Sequence, residues 1–205
     1  MDTRKISIVA LAALLFMSCG SSNKKEEETS SENTTETAVK VGSTSGNNLE
    51  QHGDYTNLYA TSSKCKISAE EIAMLYGIDA SDMKETLNGP SGENYSCTYL
   101  FTLNDGINSV FGLTFFKRSM DDVHSEINNW KTDSYAKNFL RISNSGDHYI
   151  WKHPNQGYFI LHNPNYANGI KIQYGTMFKL SEAQSEYLEQ KGIEAIDYLI
   201  EKYKH

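Results

Sequence analysis

Little in this 205-residue chain points to a chemistry. It has only three cysteines, three prolines and two tryptophans. So few cysteines exclude a disulfide-built miniature fold, and so few prolines exclude a collagen-like or polyproline rod. Basic residues are in the minority, 19 Lys and Arg against 26 Asp and Glu, for a formal charge of −7. No basic stripe is present, which excludes recognition of a nucleic-acid backbone. No apolar run reaches the ~20 residues that a membrane-spanning helix needs. The sequence also lacks a GxSxG elbow, an HExxH pair, a phosphate-binding glycine loop and a dinucleotide fingerprint. No catalytic residue, metal ligand or cofactor is expected, and this points away from an enzyme, an envelope hydrolase with a site no local motif reveals being the lesser alternative.

What is present begins at the first residues. Arg4 and Lys5 precede an apolar stretch from Ile6 to Met17, followed by Ser18, Cys19 and Gly20. This is the layout of a secretory signal. A small residue and then cysteine at its end resembles the lipobox of bacterial lipoproteins. The resemblance implies removal of residues 1–18, a lipid on the Cys19 sulfur and acylation (palmitate or similar) of the new amino terminus. Two or more chains anchor stably, at ~0.8 kcal/mol per buried methylene. The run Lys24-Lys25-Glu26-Glu27-Glu28 resembles the surface-export signal of Bacteroidota-type lipoproteins. Gly20, rather than aspartate, does not resemble an inner-membrane retention signal. The resemblance implies the outer membrane, lipid-anchored and facing outward or, alternatively, the periplasm.

Residues 19–54 are rich in Ser, Thr, Asn and Glu and poor in large apolar residues. Such a composition cannot offset its conformational entropy by burial, so a disordered acidic tether is expected, spanning ~30 Å as a coil. Residues 55–205 hold all thirteen tyrosines and both tryptophans, enough for one globular domain. With Cys19 lipidated, Cys65 and Cys97 remain as a pair in an oxidising compartment. A disulfide between them would contribute about 3.5 kcal/mol in the chain-entropy account. Reactive thiols or metal ligands are the alternatives, and neither cysteine sits in a CxxC or beside a histidine.

Capping boxes mark three helix starts: Ser68-Ala69-Glu70-Glu71, Ser119-Met120-Asp121-Asp122 and Ser181-Glu182-Ala183-Gln184. The first helix is expected to stop at Gly77, and a short helical piece is expected over 81–87 before a turn at Asn88–Gly92. Val123, Ile127 and Trp130 form the inward stripe of the second. The last is expected to break or kink at Gly192. Alternation at Cys97, Tyr99, Phe101 and Leu103, then at Phe111, Leu113 and Phe115, reads as two strands. Further strands are expected at 139–142, 149–153, 158–162 and 170–174. The fold class is α+β, an antiparallel sheet of about five to six strands with helices packed against it, in the order α-ββ-α-βββ-α.

Cys65-Lys66-Ile67-Ser68 before a capped helix ending Tyr76-Gly77, Cys97-Thr98-Tyr99 opening a sheet, Gly146-Asp147 before the Trp151 strand, and a final helix over 195–203 share one layout. This layout resembles a loose class of small bacterial lipoproteins of unknown function, with two cysteines paired across helix and first strand. It implies a cell-envelope domain and no particular chemistry. His148, His153 and His162 lie on neighbouring strands, but the parity of His148 and His153 sets them on opposite faces. Tyr149, Trp151, Tyr158, Tyr166 and Tyr174 are candidate contacts for a glycan or small ligand, or else core residues. The reading favoured is a binding domain for an envelope or secreted protein, joined to the membrane through Cys19.

Overall fold

The computed structural model describes Leu49 and residues 51–61, 63–103, 105–176 and 180–205. Cys19, the signal and most of the expected tether lie outside the described residues. Among them, no helix is long and apolar enough to cross a membrane.

The chain enters through a one-turn helix, α1 (Thr56–Tyr59), which buries Tyr55, Leu58 and Tyr59. Nothing in the sequence reading anticipated it, although Tyr55, Leu58 and Tyr59 stand at helical spacing. Ser68 then caps α2 (Ala69–Tyr76): its hydroxyl accepts from Glu71 N, the Glu71 carboxylate accepts from Ser68 N, and Gly77 ends the helix at φ 66°. Ile72, Ala73 and Tyr76 face inward.

The expected helical piece over 81–87 is a single 3-10 turn, Ala80–Asp82, capped by Asp79. The backbone then extends into strand β1 (Lys84–Ser91), which runs through the Asn88-Gly89-Pro90 expected to turn. The turn comes later, at Gly92, which holds φ 63°. β1 pairs antiparallel with β2 (Asn94–Thr102), with a register shift between Glu85 and Leu87. Most of β1 is exposed, so neither alternation nor apolar content marked it as a strand; pairing with β2 makes it one.

β3 (Asn108–Phe116) completes a first meander. α3 (Met120–Thr132) follows, capped by Ser119 and Asp122. A 3-10 turn at Ala136–Phe139 leads to β4 (Leu140–Ile142), then β5 (Tyr149–Lys152), β6 (Tyr158–His162) and β7 (Gly169–Gln173). The second meander inserts β7 beside β3, giving one sheet of seven strands in the order β1-β2-β3-β7-β6-β5-β4, antiparallel throughout. The class is α+β, with seven strands in place of five or six.

α4 (Glu182–Tyr203), capped by Ser181 and Gln184, is one uninterrupted helix. Gly192 does not break it. A Cβ there would stand 2.6 Å from Tyr174 Cβ and 2.9 Å from Phe159 Cε2, so glycine allows helix and sheet to approach. α1, α2 and α4 cover the front of the sheet, burying Cys97, Tyr99, Phe101, Phe111, Leu113, Ile150, Phe159, Leu161, Ile170 and Ile172. α3 covers only part of the back, where Val123, Ile127 and Trp130 meet Tyr149, Trp151, Ile160, Leu140 and Ile142. The Cys65–Cys97 disulfide, Cα–Cα 5.9 Å, joins the approach to α2 to the middle of β2.

Candidate functional site

The densest polar chemistry lies at the β4–β5 turn, Ser143 to His148. Gly146 at φ 84° lets the turn close, with Ser143 N donating to His148 O at 3.0 Å. The Asp147 carboxylate accepts from Ser145 Oγ at 2.6 Å, from His148 Nδ1 at 2.8 Å and from His52 N at 3.2 Å. Asn163 Nδ2 donates to the Asp147 carbonyl at 2.9 Å. Burial works to raise the Asp147 pKa, but the hydrogen bonds from His148 and Ser145 outweigh it and hold the carboxyl well below the usual range.

His148 is fully buried. Tyr55 meets its ring edge-on at 4.5 Å and Tyr59 lies parallel to it at 6.0 Å. Tyr166 stacks on Tyr59 at 5.2 Å, and its hydroxyl accepts from Tyr55 N and donates to Asp54 Oδ1. The pair is therefore closed under the entering segment, which a reciprocal backbone pair between Asp54 and His205 also fastens. Lys66 secures α1 from below, donating to Asn57 O and, at 2.9 Å, to Ala60 O. Burial lowers its pKa to about 8. The fold thus reaches back before Tyr55: Leu49 and residues 51–54 already contact it.

A second imidazole–carboxylate pair lies on the other face. His162 Nε2 donates to Glu126 Oε2 at 2.9 Å, tying β6 to α3, and its fully buried ring stacks on Trp130 at 5.1 Å. A Cβ on Gly169 would stand 2.5 Å from His162 Cε1, so glycine there leaves the ring its room. His153 is half-buried beside Tyr158 at 4.8 Å. The three histidines do not converge, and among the described residues no three His, Cys, Asp or Glu groups come together to hold a metal.

The five candidate aromatics divide between the faces of the sheet: Tyr149, Trp151 and Tyr158 lie on the back, Tyr166 and Tyr174 pack on the front. Tyr174 is buried under α4 and Tyr149 under α3. Trp151 stacks on Trp130 at 5.8 Å, and Tyr158 carries the Lys171 amine 4.3 Å above its ring. Tyr166 is bound into the entering segment as described. The five do not form one cluster, but His153 joins half-buried Trp151, at 5.7 Å, to half-buried Tyr158, at 4.8 Å.

Comparison with known proteins is silent. No family model, no curated protein and no solved structure matches this chain. Its functional reading therefore rests on its own geometry.

Among the described residues, no helix covers the back of the β1 end of the sheet. β1 is the terminal strand, and the back of β1, β2 and β3 lies beyond the helix cluster of α3. Leu87 and Leu100 are the exposed apolar side chains there. In front of β1, a groove of about 570 Å³ runs between the strand and the start of α2, lined by Glu70, Glu85, Asn88, Tyr95 and Tyr99, with Lys64 the cation among its lining residues. No sequence motif could show this groove, because it forms only when α2 is set beside β1 and β2.

Proposed function

We propose that this chain is a lipid-anchored cell-envelope protein whose domain binds a protein partner. The observation that carries the reading is where the polar chemistry is used. Both buried imidazoles are spent on fastening structure: His148 and Asp147, closed from solvent, hold the entering segment, and His162 holds α3 through the partly exposed Glu126. The surface for a partner is the β1 end of the sheet, which no helix among the described residues covers from behind. Cys19, after its short apolar segment, supports the anchor, and the residues between it and Leu49 are long enough to let the domain stand off from the bilayer.

Photo-crosslinking in intact cells tests the reading, with a photoreactive residue placed in turn at exposed positions over the domain. A defined envelope or secreted protein crosslinked at one patch is the expected result. Absence of any protein adduct at every position would overturn it. In parallel, Cys19→Ser should move the chain from the membrane fraction to the soluble one; unchanged membrane retention would overturn the anchor.

A further inference from the structure

We infer that the β1 edge and the groove beside it receive an extended segment of the partner that alternates basic and apolar residues, added to the sheet as an eighth strand. The inference rests on the proposed binding function and names the partner's chemistry. Three observations support it.

First, β1 is a strand of eight residues with β2 on one side and, among the described residues, no strand on the other. An unpaired edge is a template for another strand. The register shift between Glu85 and Leu87, and Pro90 with no N–H to donate, break that edge into a short window. Lys84 charges its start. These features discourage long pairing with a second copy and leave room for a short segment.

Second, the pairing register sorts the β1 side chains by face. Glu85 lies opposite Tyr99 and Asn88 opposite Cys97, both on the front with the groove; Leu87 lies opposite Thr98 on the back. Side chains of an added strand alternate in the same way, those on one face being ~7 Å apart. Its front-facing residues would project over the groove and its back-facing ones beside Leu87, which is 42% exposed.

Third, the groove is acidic on both walls. Glu85 comes from the strand and Glu70 from the first turn of α2, and both act on the Tyr99 hydroxyl, which burial and then Glu85 push up to about 12. Asn88 Nδ2 already donates to Glu85 Oε2 at 2.9 Å, and Tyr95 donates to Asn88 Oδ1 at 2.6 Å, which holds the Glu85 wall in position. Lysine or arginine at alternate positions of the incoming strand would meet these two carboxylates, and the net charge of −7 favours its approach.

The test uses the full chain in detergent and a labelled synthetic peptide, Lys-Val-Lys-Thr-Lys-Val, with the same peptide carrying Glu for Lys as control. Fluorescence anisotropy should show binding of the basic peptide only, weakened about tenfold by the double variant Glu70→Lys, Glu85→Lys and by raised salt. Both positions are exposed, but the Glu70 carboxylate accepts from its own amide and from Ser68 in the first turn of α2. The pair Glu70→Gln, Glu85→Gln, which keeps an acceptor there, should therefore retain the melting temperature and still weaken binding. Hydrogen exchange should show new protection at the β1 amides when the peptide is bound. Equal binding of the acidic peptide, binding indifferent to either double variant, protection elsewhere than β1, or no binding would each overturn the inference. The reading of a protein-binding domain fails separately, if crosslinking finds no partner at any position. A partner crosslinked only away from β1 would leave that reading standing and remove this one.

Discussion

At the scale of single residues, Asp147 does the most. Its carboxylate joins the β4–β5 turn, His148 and the entering segment through three hydrogen bonds. Its pKa in the folded chain lies below the ordinary 3.8, so the unfolded chain takes up protons first as pH falls. The stability it contributes is thus present above about pH 4 and lost as pH drops towards its folded pKa. Urea unfolding at pH 7, 4 and 2.5 should show the intact protein weakening below pH 4. Asp147→Asn should be less stable by about 2 kcal/mol at pH 7 and show a flatter decline into acid. An unchanged acid profile in the variant would remove Asp147 from this role. In the sequence, Gly146-Asp147 stands out only as a pair before the Trp151 strand. That Asp147 faces His148 and His52 depends on a segment 95 residues earlier reaching it.

At the scale of elements, the three capping boxes were legible because each is a local device: a serine and a residue three positions on satisfy each other's backbone amides without help from the rest of the fold. The inward alternation of β2 and β3 was legible for the same reason. β1 was not, since Lys-Glu-Thr-Leu-Asn-Gly-Pro-Ser has no strand pattern of its own and is extended only because β2 pairs with it. Gly192 separates the local view from the tertiary one. As a helix break, Gly192→Ala would stabilise by up to about 1 kcal/mol through propensity. Against Tyr174 and Phe159 the added methyl has no room, so a net loss of about 1–3 kcal/mol is expected. The urea midpoint of the variant decides: a higher midpoint would show that the close approach does not limit the helix.

For the whole molecule, the sheet is two meanders closed by the β3–β7 pair, with α3 crossing behind and α4 in front. The disulfide ties the approach to α2 to β2 on the groove side. Replacing both Cys65 and Cys97 with serine should cost about 2–4 kcal/mol, and a reducing agent should lower the melting temperature of the intact protein but not of the variant. Equal sensitivity in both would show that the loss arises elsewhere. α2 is also held to α4, where Lys202 Nζ donates to Glu71 Oε1 at 2.7 Å, so the groove wall should loosen without separating.

The sequence by itself determined what depends on neighbours along the chain: the α+β class, the starts of the three capped helices, the inward faces of β2 and β3, and the apolar segment before Cys19. These are set by spacing, capping and alternation, which act over a few residues. Only the tertiary structure decided the seventh strand, the closing of His148 beneath residues 51–59, the purpose of Gly192 and the acidic groove beside β1. Each joins segments far apart in sequence, and packing and pairing choose among conformations that local preference leaves nearly equal in energy.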